Sequence, residues 1–297
     1  MQERELTTER RNRATENLDK MSSLELVTAM NREDAVVPRA IRKVLPEIAK
    51  AVDLVTHHLA QGGRLIYVGS GTSGRIGALD ASECSPTFGV SPKKVQFVIA
   101  GGERALVNAA EASEDSAVMG RKDIAARRPG KRDVVVGIAA SGNTPYTISA
   151  LEYARAKGAA TVAIAFNRNS AIGKVADLRI ETEVGPEVLA GSSRLKAGTA
   201  EKLICNMLTT GAMTRLGYVY SNLMVNLHLT NKKLLQRGTK ILETLTGVDG
   251  AQAAATLEKA GRSVPVALVM LKTGTSKAES ARRLRRAKGN VRRAIEG

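Results

Sequence analysis

Between about residue 51 and residue 236, short apolar runs alternate with longer stretches of helical periodicity. The runs are Arg64 to Gly69, Val95 to Ala100, Val134 to Ala139, Ala160 to Ala165 and Leu178 to Glu181. Their length and near-continuous apolar character predict strands buried on both faces. Strands that alternate with helices in this way indicate an α/β fold, a mainly parallel five-stranded sheet flanked by helices. Ligands of such sheets bind outside the carboxyl ends of the strands. The flanking segments read differently. Residues 1–50 have a helical pattern, with Ser22-Ser23 before Leu24-Glu25-Leu26-Val27 as a helix start and Pro38 near the start of the next helix. After Gly238, short helical stretches alternate with glycine-containing turns. The predicted organisation is a helical arm over 1–50, a main domain over 51–236 and a small helical module over 237–297.

Three turns at or after these strand ends share an unusual chemistry. Leu65-Ile66-Tyr67-Val68 runs into Gly69-Ser70-Gly71-Thr72-Ser73-Gly74, where backbone amides and hydroxyls converge at a helix start. No Lys-Ser/Thr pair follows as in a P-loop, and hydroxyls replace the apolar spacers of a dinucleotide turn, so a small phosphate-bearing ligand fits better. The run from Val134 to Ala140 ends in Ser141-Gly142-Asn143-Thr144-Pro145, where the proline suits an early helical position. Gly191-Ser192-Ser193 leads into a long amphipathic helix. Three such turns in one domain point to one polyhydroxylated, phosphorylated ligand. Ser141, Gly142, Asn143 and Thr144 are the phosphate candidates, because amides reinforced by a helix dipole and hydroxyl donors suit an anion. Ser70, Thr72, Ser73, Ser192 and Ser193 would hold sugar hydroxyls or share the phosphate.

Composition narrows the alternatives. With 297 residues and 43% hydrophobic content, the chain can bury a substantial core. Its start, MQERELTTERRNR, has no apolar leader, and no stretch reaches the length of a membrane span, so a cytoplasmic protein is expected. Cys84 and Cys205 cannot make a disulfide framework and match no zinc spacing. The formal charge of +16 raises the question of nucleic acid, yet aromatic residues are only 3% and tryptophan is absent, so base stacking has little to use. The excess is concentrated in Arg282-Arg283-Leu284-Arg285-Arg286, Lys288 and Arg292-Arg293, which reads as a solvated helical face.

The chain resembles the N-acetylmuramic acid 6-phosphate etherases, a family of the sugar isomerase (SIS) fold. The resemblance is carried by Leu6-Thr7-Thr8-Glu9 with Arg11-Asn12, Gly69 to Arg75, Asp80-Ala81-Ser82-Glu83-Cys84, Ala100-Gly101-Gly102-Glu103, Glu111 to Asp115, Ala140 to Tyr146 and Gly191 to Lys202. Ser85 departs from the proline expected after the cysteine, which would loosen a turn behind Glu83. The resemblance implies an SIS-type sheet, a C-terminal module similar to ubiquitin-associated domains and a homodimer. It also implies cleavage of the lactyl ether at C3 of the sugar, with release of D-lactate and N-acetylglucosamine 6-phosphate in cell-wall recycling.

An ether is a poor electrophile, so elimination is easier than displacement: ring opening exposes a C1 aldehyde that acidifies the C2 proton, and lactate leaves from C3. A base at C2 and an acid at the ether oxygen are needed, roles that carboxylates fill when burial or negative neighbours raise their pKa. By the resemblance, Glu83 protonates the departing oxygen and later deprotonates water, and Glu114 removes and returns the C2 proton. No metal or redox cofactor is implied, since the aldehyde stabilises the carbanion as an enolate. Sequence position puts Glu83 after the helix that follows the first turn, and Glu114 beyond the second strand. A non-catalytic sugar-phosphate-binding regulator of the same fold is the alternative, against which stands the presence of both glutamates. A DNA-binding regulator lacks a helix-turn-helix in the arm, and an aldose–ketose isomerase is the remaining enzyme reading.

Overall fold

All five apolar runs form strands in the computed structural model, which describes residues 6–108, 110–229 and 231–297; Met1 to Glu5 of the charged start lie outside them. The strands are β1 (Leu65–Gly69), β2 (Val95–Ile99), β3 (Val134–Ile138), β4 (Ala160–Ala165) and β5 (Leu178–Glu181). They pair in parallel in the order β2-β1-β3-β4-β5, with Leu65 in register with both Val95 and Val134. Every residue of β1 and β3 is buried, as the apolar runs require of strands covered on both faces.

The helices before and between the strands are α1 (Ser23–Asp34), α2 (Val36–Arg42), α3 (Leu45–Ala60), α4 (Gly71–Phe88), α5 (Ala117–Ala126), α6 (Pro145–Ala156), α7 (Ala171–Val175) and α8 (Lys196–Leu216). Ser22 caps α1 through a reciprocal box with Glu25, which fixes the helix start that the sequence announces. Ile66, Val68, Val98, Val135, Ile124, Tyr146, Leu151 and Ile172 share one core.

The chain divides into two compact units: up to Ser82 together with Lys93–Thr209, and Glu83–Pro92 together with Thr210–Gly297. The second has its own core of Leu242, Leu257, Leu268, Leu284 and Val291. It contains the hairpin β6 (Val219–Tyr220) and β7 (Leu223–Met224), then α9 (Lys232–Thr246), α10 (Gly250–Lys259), α11 (Val264–Thr273), α12 (Lys277–Arg286) and α13 (Val291–Glu296). Asn231, Asp249, Ser263, Ser276 and Asn290 each cap one of these helices through a side-chain oxygen. Helix α9 begins before Gly238 and runs through it, because a residue without a side chain lets Leu229 and Val264 close on the helix. The arginines Arg282, Arg285, Arg286, Arg292 and Arg293 are exposed, while Leu284 and Val291 turn inward.

One expectation about the site is corrected by the path of α4. Glu83 lies inside this helix, not beyond it, and so does Ser85, where no turn exists to be loosened. Pro86 does not end the helix: the hydrogen bond it deletes is to the carbonyl of Ser82, an exposed residue where solvent can substitute.

Candidate functional site

The sheet order reverses between β1 and β3, so the carboxyl ends of these neighbouring strands border the crevice where open parallel sheets bind ligands. The first two hydroxyl-rich turns leave from these two strands. After β1, Ser70 leads to Gly71 at φ 50°, and Gly71, Thr72 and Ser73 make the first turn of α4. After β3, the Ser141 hydroxyl accepts the Asn143 N–H at 3.2 Å, and Asn143 Oδ1 accepts the Ala171 N–H at 3.4 Å. Gly142 has φ 77°, and a Cβ there would lie 2.4 Å from Ser170 Cβ, so the turn requires glycine. Thr144 is the N-cap of α6 without spending its hydroxyl on the cap, and Pro145 takes the first helical position.

The third turn reaches the first through α8. A Cβ on Gly198 would sit 3.4 Å from Thr72 Cγ2, so the start of α8 packs on the start of α4. Ser73 Oγ lies 2.6 Å from Glu201 Oε1 on α8. Entry into α8 is held by Glu187, whose two carboxylate oxygens accept the N–H groups of Lys196 and Ala197, each at 2.9 Å. The Lys196 ammonium, only 2% exposed, is paired with Glu33 of α1 at 2.8 Å. Burial of Glu33 opposes its charge, but the hydrogen bonds from Lys196 and Asn12 outweigh it and hold the carboxyl below its usual range. Lys196 therefore ties the N-terminal arm to α8. Ser192 and Ser193 are half-buried ahead of this junction.

Glu114 stands between the first two turns. Its carboxylate Oε1 lies 2.9 Å from where a Cβ on Gly71 would be, and its backbone carbonyl accepts the Tyr146 N–H at 3.1 Å, in the first turn of α6. One half-buried residue thus meets the start of α4 with its carboxylate and the start of α6 with its backbone carbonyl. Glu83 is elsewhere: it is exposed and lies twelve residues beyond Gly71 on α4, about 18 Å of helical rise. The neighbouring motif residue Asp80 is structural. It is buried and accepts hydrogen bonds from the Tyr67 hydroxyl at 2.8 Å, Asn206 at 2.9 Å and Thr209 at 3.1 Å, joining β1, α4 and α8. Burial pushes its carboxyl up, and these three bonds oppose the push.

Several neighbours of the turns are not among the site residues that the sequence points to. Asn167 donates to the Ser141 carbonyl at 3.2 Å and accepts the Thr7 N–H at 2.7 Å, so the Leu6-Thr7-Thr8-Glu9 segment lies against the second turn. Glu9 Oε2 is 3.6 Å from where a Cβ on Gly191 would be, which brings the same segment to the third turn. Glu181 accepts from the Ser170 amide and hydroxyl, at 2.9 and 2.7 Å, behind Gly142. Glu201 is flanked by buried Ala197 and Ala200, a small-residue face on a long helix that signals close packing and not chemistry.

Comparison with known proteins bears on the fold and the family. Residues 47–155 match the glucokinase regulatory protein N-terminal SIS domain family, and residues 103–211 match the SIS domain family. N-acetylmuramic acid 6-phosphate etherase from Oenococcus oeni is 51% identical over 290 residues, 98% of each chain. The protein of that name from Mycolicibacterium smegmatis is 50% identical over 290 residues, 98% of this chain and 97% of its own. Among solved structures, a phosphoheptose isomerase from Francisella tularensis superposes with a TM-score of 0.53 at 19% identity, covering 65% of this chain and 100% of that one. A phosphosugar isomerase associated with capsule formation in Bacteroides fragilis gives a TM-score of 0.52 at 17% identity over 70% of this chain and 98% of its own. These structural likenesses establish the SIS fold.

Proposed function

We propose that this chain, which belongs to the N-acetylmuramic acid 6-phosphate etherase family, is the lyase that removes D-lactate from C3 of N-acetylmuramic acid 6-phosphate and leaves N-acetylglucosamine 6-phosphate. The observation that carries the reading to the site is the position of Glu114, with its carboxylate at Gly71 and its carbonyl on α6. A base there faces a ligand whose phosphate is held by Ser141, Gly142, Asn143 and Thr144 and whose hydroxyls meet Ser70, Thr72, Ser73, Ser192 and Ser193.

The reaction then runs through a ring-opened sugar. The Glu114 carboxylate takes the C2 proton, the freed electron pair forms the C2–C3 double bond, and the C3–O bond breaks. Lactate leaves as its oxygen receives the proton of Glu83. Water adds at C3 while Glu83 takes its proton back, and Glu114 returns a proton to C2. C2 and C3 are adjacent atoms, so the acid and the base must reach one bond from two sides. Glu83 is about 18 Å of helix away from Gly71 in the same chain. We therefore assign the acid to Glu83 of a second copy, and a homodimer acting in the cytoplasm belongs to the same reading.

Binding energy from the phosphate is remote from the reacting carbons and serves to position them. Incubation with N-acetylmuramic acid 6-phosphate is expected to release D-lactate, and N-acetylmuramic acid without the phosphate is expected to react far more slowly. Equal kcat/KM values for the two substrates would remove the hydroxyl-rich turns from the mechanism, and no lactate from either would remove the activity.

A further inference from the structure

Among the buried carboxyls that the mechanism does not use, Glu201 keeps one oxygen unpaired. Glu201 is 1% exposed; its Oε1 lies 2.6 Å from Ser73 Oγ, and its Oε2 has no hydrogen-bond partner among the described residues. A charged carboxylate here would keep one oxygen bare in a medium of low polarity, which strongly disfavours the ion. The groups around it do not supply a counter-charge. Glu187, in the loop before α8, adds negative charge, and the Lys196 ammonium beside it is spent on Glu33. Cys205, one turn further along α8, is buried, and burial together with Asp80 and Glu201 keeps its thiol protonated. Asp80 of α4 faces Cys205, takes the Tyr67 hydroxyl from β1 and draws the charge of Lys202. Burial pushes the Glu201 carboxyl up to about 8, with the Ser73 bond opposing and Glu187 reinforcing the push.

The charge on Glu201 decides what Ser73 can offer a ligand. An ionised Glu201 has no proton, so Ser73 must donate to it, and only the lone pairs of Ser73 Oγ are left for the turn. Those lone pairs repel an anion. A neutral Glu201 donates its own proton across the same 2.6 Å and releases the Ser73 hydrogen. We propose that Glu201 is a positioning residue that works as a neutral acid: by donating to Ser73 Oγ it frees the Ser73 hydroxyl to donate to an anionic oxygen of the sugar phosphate. The inference rests on the sugar-phosphate reading of the three turns and assigns a proton-dependent donor to the first of them. The sign follows directly. Below about pH 8 Glu201 is neutral and Ser73 donates outward; above it Glu201 ionises, Ser73 turns inward and the ligand loses a donor.

The test is the affinity for N-acetylglucosamine 6-phosphate by calorimetry from pH 7 to 9.5, a range in which the ligand's phosphate is already doubly ionised, together with KM and kcat for the etherase substrate. The wild type is expected to lose affinity by about tenfold across this range, the worth of one good hydrogen bond to a charged group, with KM rising in parallel. In Glu201→Gln the amide donates to Ser73 at every pH, so the alkaline loss is expected to vanish. In Ser73→Ala it is expected to vanish as well, and the affinity at pH 7 should already be about tenfold lower. An alkaline loss as large as that of the wild type in either folded variant overturns the proposal. Lactate release that is normal at pH 7, combined with identical pH profiles in all three proteins, would overturn this inference alone. Absence of lactate release in a wild type that shows the expected binding profiles would overturn the etherase reading alone.

Discussion

Replacement of Glu114 by glutamine is expected to abolish lactate release and, with it, exchange of the C2 proton in heavy water, by roughly a hundred- to ten-thousand-fold. The amide is the same size as the carboxyl and can keep the contact at Gly71, and the backbone bond from Tyr146 does not involve the side chain. What the change removes is the proton acceptor. Both losses should therefore appear in kcat in a protein that still binds the sugar phosphate. Full activity in a folded Glu114→Gln variant would reject its role as the C2 base.

Replacement of Glu83 by glutamine is expected to separate the two halves of the reaction. Without an acid at the ether oxygen, lactate release should fall by a factor in the same range. The C2 proton of the intact substrate should still exchange with deuterium, because Glu114 can form and reprotonate the enolate. The assignment of Glu83 to a second copy adds a further outcome. A mixed dimer of one Glu83→Gln subunit and one Glu114→Gln subunit has one site with both defects and one with neither, so about half of the wild-type activity should return. Failure to restore activity on mixing would place both carboxylates in one chain, and full activity of the single variant would reject the acid.

The strands were legible because burial on both faces leaves unbroken apolar runs: β4 and β5 begin and end where Ala160 to Ala165 and Leu178 to Glu181 do. Two of the turns were legible as turns because their backbone needs glycine, and Gly71 and Gly142 adopt positive φ. Tertiary support was harder to read. Glu187, Lys196 and Glu33 form one lock across α1 and α8, but residues 163 positions apart carry no periodicity that links them. Asn167 and Thr7 meet for the same reason, 160 positions apart. The end of α4 lies beyond the expected one: the helix runs through Glu83, Ser85 and Pro86 to Phe88, and the donor missing at Pro86 falls opposite Ser82, an exposed residue. The hairpin of β6 and β7 is two residues per strand, too short for alternation to register.

The central claim, cleavage by elimination followed by hydration, makes a prediction about one oxygen atom. When N-acetylmuramic acid 6-phosphate is turned over in water enriched in oxygen-18, the label is expected at C3 of N-acetylglucosamine 6-phosphate, read from the isotope shift of the C3 carbon resonance, and the hydroxyl of the released D-lactate should carry none. Label in that lactate hydroxyl, with C3 keeping its original oxygen, would mean attack on the lactyl carbon and would contradict the account.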